Sequence, residues 1–158
     1  MGRQVRLRHL AKNLFTGYWP ADVESLNSES LSNFLVQAGR MALVLCTGVN
    51  PPLIETRRLL LERAGHTVVT AMDEGALVAA CQQHAFDIAV IGQTVSPMEK
   101  KRVFALIREH RPTALVLELH QLYLSRVLED ADGWLAVPAE VPQQLADSVA
   151  ALAAKRTA

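Results

Sequence analysis

The sequence predicts an α/β protein with a five-stranded parallel sheet that is covered by helices on both faces. From residue 41 onward, short apolar runs alternate five times with segments of helical periodicity. Such alternation favours parallel pairing through right-handed crossovers. The chain has 158 residues, of which 50% are hydrophobic and 20% are charged. That length and composition are enough for one core domain and argue against disorder.

Each predicted strand is a short run of apolar or β-branched residues, as expected of strands that are buried on both faces. In chain order the predicted strands are Met41–Cys46, Val68–Thr70, Phe86–Ile91, Ala114–Leu119 and Trp134–Val137.

The first two helices are predicted from their start and stop signals. Pro52 suits the first turn of a helix, where its missing N–H costs nothing. Gly65 ends this helix at a position that favours a left-handed cap. Asp73 or Glu74 begins the second helix, whose inward side carries apolar residues and His84.

Three more helices follow from apolar periodicity. The third begins near Pro97 and buries Val103. A short fourth helix is predicted at Leu122–Leu128. The last helix presents one apolar face with residues spaced by four, four and three, namely Val141, Leu145, Val149 and Leu152.

Five strands of this length fit the flavodoxin-like strand order 2-1-3-4-5. Ligands of such sheets bind beyond the carboxyl ends of the strands, near the point where the strand order reverses. The sequence therefore directs attention to the loops 46–51, 92–97, 119–121 and 137–140.

Residues 1–40 are predicted to form an N-terminal extension to a domain that spans 41–158. The extension begins with a basic arm and contains a short amphipathic helix around 31–38, with Ser30 as its N-cap. The basic residues of the arm are Arg3, Arg6, Arg8 and Lys12. The helix is expected to pack on the domain or on a second copy of the chain. Alternatively, translation begins at Met41, and residues 1–40 are not part of the protein in the cell.

Composition excludes several classes of function. The 16 basic and 16 acidic residues cancel, so no overall field attracts nucleic acid or a membrane surface. No apolar run approaches the length of about 18 residues that a membrane span needs. Cys46 and Cys81 are too few for a disulfide framework. They are predicted to be core residues of a protein in the reducing cytoplasm.

Three stretches together resemble the receiver domain of bacterial two-component response regulators. They are ETRRLLLERAGHTVVTA at 55–71, FDIAVIG at 86–92 and GWLAVPAEV at 133–141. The resemblance spans about 41–154 and implies the flavodoxin-like fold and a role in phosphorelay signalling.

The resemblance also implies a site that this sequence lacks. Receivers hold magnesium with acids after strand one, phosphorylate an aspartate that ends strand three, and place a hydroxyl and a lysine after strands four and five. Cys46 and Thr47, Gly92, Leu119 and Val137 stand at these positions. The chain is therefore expected to be a pseudo-receiver, neither an enzyme nor dependent on a cofactor or metal, with an electrically empty site. Asp87 cannot substitute, because it begins strand three, about 15 Å from the site.

One alternative chemistry remains open. Cys46 faces the start of the first helix, where partial positive charge lowers the pKa of a thiol. The position resembles the phosphocysteine of sugar-specific IIB phosphocarriers. Pro52 stands where a related phosphatase would need a phosphate-binding arginine. Glu118 and His120 share a strand face and could meet, although no nucleophile accompanies them. The run Glu99–Arg102 is expected to be a solvated helix face.

Protein contact is the expected mode of action. Receivers signal through the face formed by helix four, strand five and helix five. The corresponding candidate surface here consists of Leu122, Tyr123, Leu124 and Trp134, and would bind a protein partner or a second copy. No helix-turn-helix pattern supports direct contact with nucleic acid.

Overall fold

The computed structural model describes residues 27–29, 41–138 and 142–157. The chain divides between Arg40 and Met41 into two units, and the second contains all the strands and helices discussed below. The basic arm and the helix predicted within 1–40 lie outside the described residues, and both remain predictions.

The sheet has the predicted architecture. Its five strands are all parallel and lie in the order β2-β1-β3-β4-β5. The strands are β1 Leu43–Thr47, β2 Thr67–Ala71, β3 Ile88–Ile91, β4 Leu115–Gln121 and β5 Gly133–Val137. The predicted flavodoxin-like fold is therefore confirmed, and the order reverses between β1 and β3.

Four long helices surround the sheet in the part of the chain from Met41 onward that the structure describes. They are α1 Pro51–Arg63, α2 Glu74–Gln83, α3 Pro97–His110 and α4 Gln143–Thr157. Asn50 caps α1 by accepting the Leu53 N–H at 3.2 Å. Gly65 follows α1 with a φ of 96°, as its predicted left-handed role requires. Val141, the predicted start of the last helix, lies outside the described residues.

The core has two layers, because successive residues of a strand point to opposite faces of the sheet. Val44 and Cys46 of β1 pack with residues of α1 and α4, whereas Leu45 packs with residues of α2 and α3. Among the described helices, none combines the length and apolar character that crossing a bilayer requires.

The predicted helix at Leu122–Leu128 is absent, and a chain of turns and bends joins β4 to β5 instead. The buried Glu118 carboxylate accepts the N–H groups of Val127 at 2.6 Å and Leu128 at 2.9 Å. In an α-helix those N–H groups would donate to carbonyl oxygens four residues earlier. The side chain of Glu118 therefore takes the N–H groups that would make the last bonds of such a helix, and the segment folds around this carboxylate.

Candidate functional site

The carboxyl edge of the sheet collects most of the predicted site positions. Thr47 is in register with Ile91, and Ile91 is in register with Glu118, so Cys46, Thr47, Gly92 and Leu119 lie at neighbouring strand ends. Val137 pairs with Gln121, further along the longer strand β4. The fold thus brings these positions to the edge at which a ligand of this fold class would bind.

A guanidinium group occupies the space beside Gly92. The Gly92 N–H donates to the carbonyl oxygen of Thr47 at 3.0 Å. A Cβ atom placed on Gly92 would lie 2.9 Å from Nη1 of Arg57 and 3.1 Å from that carbonyl oxygen. Arg57 extends from α1, is only 7% exposed, and donates from Nη2 to Oε1 of Gln93. A side chain at position 92 would therefore displace the Arg57 guanidinium.

Arg57 carries a buried charge with little compensation. Burial lowers the pKa of Arg57, and the nearby Cys46 opposes this shift only in part. Gln93, its hydrogen-bond partner, is neutral. The sequence pattern places Arg57 on the inward stripe of α1, with Leu61 four residues later, and its burial confirms that position; no signal in the sequence links it to Gly92.

Lys100 brings a second buried cation to the edge. Its residue is 3% exposed, and Nζ donates to the carbonyl oxygen of Leu119 at 2.7 Å. Burial lowers the pKa of Lys100, while Glu118 raises it. The prediction that Glu99–Arg102 is wholly a solvated face is wrong at Lys100. Its spacing of seven residues from the buried Ile107 was the available signal.

The edge therefore carries charged groups that the sequence did not predict, although the expected lack of a phosphoacceptor there stays a prediction. It carries the cations of Arg57 and Lys100, and the buried carboxylate of Glu118 has its oxygens on the N–H groups of the β4–β5 connection. His120 does not join Glu118, because its Nδ1 lies 3.2 Å from the carbonyl oxygens of Gln121 and Leu124. The hypothetical acid–base pair is not formed.

Cys46 is a buried core residue. It is 1% exposed, and burial raises the pKa of its thiol to about 12, with Arg57 only partly opposing the shift. The expectation that the start of α1 lowers this pKa is wrong, because desolvation of the thiolate outweighs the nearby positive charge.

Asp87 lies at the opposite edge of the sheet. Its Oδ2 accepts the Leu43 N–H at 2.9 Å, and its Oδ1 pairs with Arg156 of α4. It therefore ties the amino ends of β1 and β3 to α4. Within residues 41–138 and 142–157, no three His, Cys, Asp or Glu side chains cluster closely enough to hold a metal ion.

The candidate partner surface divides into two parts. Leu122, Tyr123 and Leu124 are 52%, 93% and 59% exposed. Trp134 is half-buried, donates from Nε1 to the Leu128 carbonyl at 2.8 Å, and lies under the Arg126 guanidinium at 4.6 Å from the ring centroid. Trp134 therefore packs within the domain, and the exposed apolar groups belong to a loop and not to a helix.

Solved structures share this fold. The chemotaxis response regulator CheY4 of Vibrio cholerae is 22% identical, with a TM-score of 0.60 over 71% of this chain and 98% of CheY4. The Francisella response regulator 1452 receiver domain is 19% identical, with a TM-score of 0.59 over 74% of this chain and 99% of its own.

A structure of the histidine kinase ThkA in complex with the response regulator TrrA also matches, at 18% identity and a TM-score of 0.58, over 70% of this chain and 97% of the matched chain. Neither a protein-family model nor a curated protein matches the sequence. From Met41 onward, the chain therefore has the fold of response-regulator receiver domains.

Proposed function

We propose that residues 41–158 form a receiver-like signalling domain of a bacterial, cytoplasmic two-component system. In this proposal the domain is a pseudo-receiver, is not an enzyme, and acts by protein–protein contact without phosphorylation. The observation that carries the proposal is that glycine and not a carboxylate stands at the end of β3, where a Cβ atom on Gly92 would lie 2.9 Å from Nη1 of the buried Arg57.

The charges at the edge support this proposal. Transfer of a phosphoryl group to an aspartate needs a carboxylate nucleophile, and a hard divalent cation needs oxygen ligands. Cys46 and Thr47 supply no carboxylate after β1. The positive charges of Arg57 and Lys100 oppose the binding of a divalent metal ion such as Mg²⁺. In this proposal the domain does not switch between two states, because Arg57 and Lys100 already supply positive charge at the edge.

Exposed apolar side chains support the proposal that the domain acts by protein–protein contact. The matched structures include a response regulator in complex with a histidine kinase. On this chain, the exposed apolar loop Leu122–Leu124 is the part of the proposed surface that is free to meet a partner or a second copy.

Beryllofluoride binding tests the absence of phosphoryl chemistry. The ¹⁵N-labelled protein is titrated with beryllofluoride and Mg²⁺, beside a receiver domain that has its aspartate. We expect no amide shifts at Gly92 or Leu119 in this protein, and none in the Gly92→Asp variant, which still lacks acids after β1. Saturable shifts at these residues in the unmodified protein would refute the proposal.

A site-specific crosslinker tests the contact mode. A photoreactive residue at position 123 should yield a discrete crosslinked species in cells, because Tyr123 is 93% exposed beside Leu122 and Leu124. Met98, which is 83% exposed on α3, is the matched control and should yield none. Equal yields at both positions would refute the loop as the contact surface.

A further inference from the structure

A cleft between α2 and α3 opens beside the carboxyl ends of β1 and β2. Its volume is about 290 Å³. Its walls are mainly apolar and include Leu77 of α2 and Val103 and Leu106 of α3. This size and lining suit one small organic molecule with an apolar body, such as a single ring, at the lower end of the range for ligand pockets.

The floor of this cleft holds a buried hydroxyl. Thr47 lines the cleft at the end of β1 and is 5% exposed. Its hydroxyl has no hydrogen-bond partner among the residues that the structure describes. A buried hydroxyl without a partner costs about 1–3 kcal/mol. A ligand with a polar group at its inner end would recover this energy.

The mouth of the cleft is acidic. Asp73, Glu74 and Glu99 contribute carboxylates, and Arg102 contributes the one cation among the lining residues. Arg102 forms an ion pair with Glu74 at 2.6 Å, and Asp73 caps α2 by accepting the Ala76 N–H at 2.7 Å.

Glu99 remains available at the mouth. Its exposed carboxylate has no hydrogen-bond or ion-pair partner within the described part of the chain. The net negative charge at the mouth favours a cationic group over an anionic one.

We propose that this cleft binds a compact organic amine. The apolar body of the amine lies between Leu77 and Val103, a hydroxyl at one end hydrogen-bonds Thr47, and the ammonium at the other end faces Glu99. The cleft shares Thr47 with the carboxyl edge of the sheet, but neither Arg57 nor Lys100 lines it, and its occupancy does not depend on the pseudo-receiver proposal.

Three matched probes test the site by amide shifts of the ¹⁵N-labelled protein. Tyramine carries the ring, the hydroxyl and the ammonium; phenethylamine lacks the hydroxyl; 3-(4-hydroxyphenyl)propionate carries a carboxylate in place of the ammonium. We expect tyramine to produce saturable shifts at Leu77 and Val103. Phenethylamine should bind about fivefold more weakly, because one net hydrogen bond is lost. The carboxylate probe should not saturate.

Two substitutions assign the contacts. Thr47→Val should equalise tyramine and phenethylamine, whereas Thr94→Val, at an exposed position outside the cleft, should preserve their difference. Glu99→Gln, on the exposed surface of α3, should weaken tyramine at least threefold and keeps the test usable should Thr47→Val fail to fold. The proposal is overturned if tyramine causes no saturable shifts in the cleft, if the carboxylate probe binds as tightly as tyramine, or if Glu99→Gln leaves tyramine affinity unchanged.

Discussion

The ammonium of Lys100 donates a hydrogen bond to the carbonyl oxygen of Leu119 at 2.7 Å. Lys100 lies near the start of α3 and thereby reaches the carboxyl end of β4. It is buried, with only 3% of its surface exposed. The contact fastens α3 to the edge of the sheet and places a fixed positive charge beside the buried Glu118.

Lys100→Met is expected to destabilise the domain by about 2 kcal/mol, because the Leu119 carbonyl loses its charged donor and Glu118 loses its nearby cation. The free energy of unfolding in urea measures this loss. Lys101→Met is the control, since Lys101 is exposed on the same turn of α3 and should change stability by less than about 0.5 kcal/mol. Equal effects of both substitutions would show that the Lys100 contact does not stabilise the fold.

Glu118→Gln is expected to loosen the connection between β4 and β5. The carboxylate accepts the N–H groups of Val127 and Leu128, and a carboxamide presents an NH₂ group to one of them. Hydrogen exchange at these two amides should accelerate at least tenfold, with a stability loss of about 1–3 kcal/mol. Glu129→Gln, at an exposed position in the same connection, should leave both rates unchanged. Unchanged exchange in Glu118→Gln would contradict the anchoring role.

His66 is expected to make the fold sensitive to acid. Its Nδ1 accepts the Ala42 N–H at 3.0 Å, its residue is 6% exposed, and burial lowers its pKa from 6.5. The unfolded chain therefore binds a proton at a higher pH than the folded domain does. This contribution to stability is complete above about pH 6.5 and is lost as the pH falls below that value, by up to about 1.4 kcal/mol per pH unit.

Urea unfolding at several pH values between 5 and 7.5 measures this dependence. His66→Gln should remove that share of the pH dependence, while His110→Gln, at the exposed end of α3, should retain it. A His66→Gln profile that parallels the unmodified protein would contradict the assignment.

Cys46 is expected to alkylate only when the domain opens. Its thiol is buried, and its pKa of about 12 keeps it protonated at neutral pH. With iodoacetamide at pH 7.5, modification of Cys46 should be at least a hundredfold slower in the native protein than in urea, as read by peptide mass spectrometry. Rapid native modification would revive the thiol-based alternative.

The sheet could be predicted because its information is local. Continuous apolar strands such as Ile88–Ile91, and stop signals such as Gly65, fix parallel pairing and helix ends without knowledge of tertiary contacts. The carboxyl ends of the strands could also be predicted, because apolar runs mark them, and Gly92 directly follows Ile91 at the end of β3.

The charges at the edge could not be predicted in the same way. A run such as Glu99–Arg102 reads as a solvated face, and only tertiary packing shows that Lys100 turns inward to a carbonyl on β4. The prediction of a helix at Leu122–Leu128 was wrong for a related reason. The buried carboxylate of Glu118 accepts N–H groups that local propensity assigns to helical hydrogen bonds.

Intact-mass spectrometry after incubation with acetyl phosphate and Mg²⁺ tests the central claim most directly. With Gly92 beside the Arg57 guanidinium, the protein should keep its unmodified mass, while a receiver domain with an intact aspartate gains one phosphoryl group under the same conditions. A hydroxylamine-labile phosphoryl adduct on this chain would show that an acyl phosphate forms, and would contradict the account of a receiver fold with no phosphoacceptor.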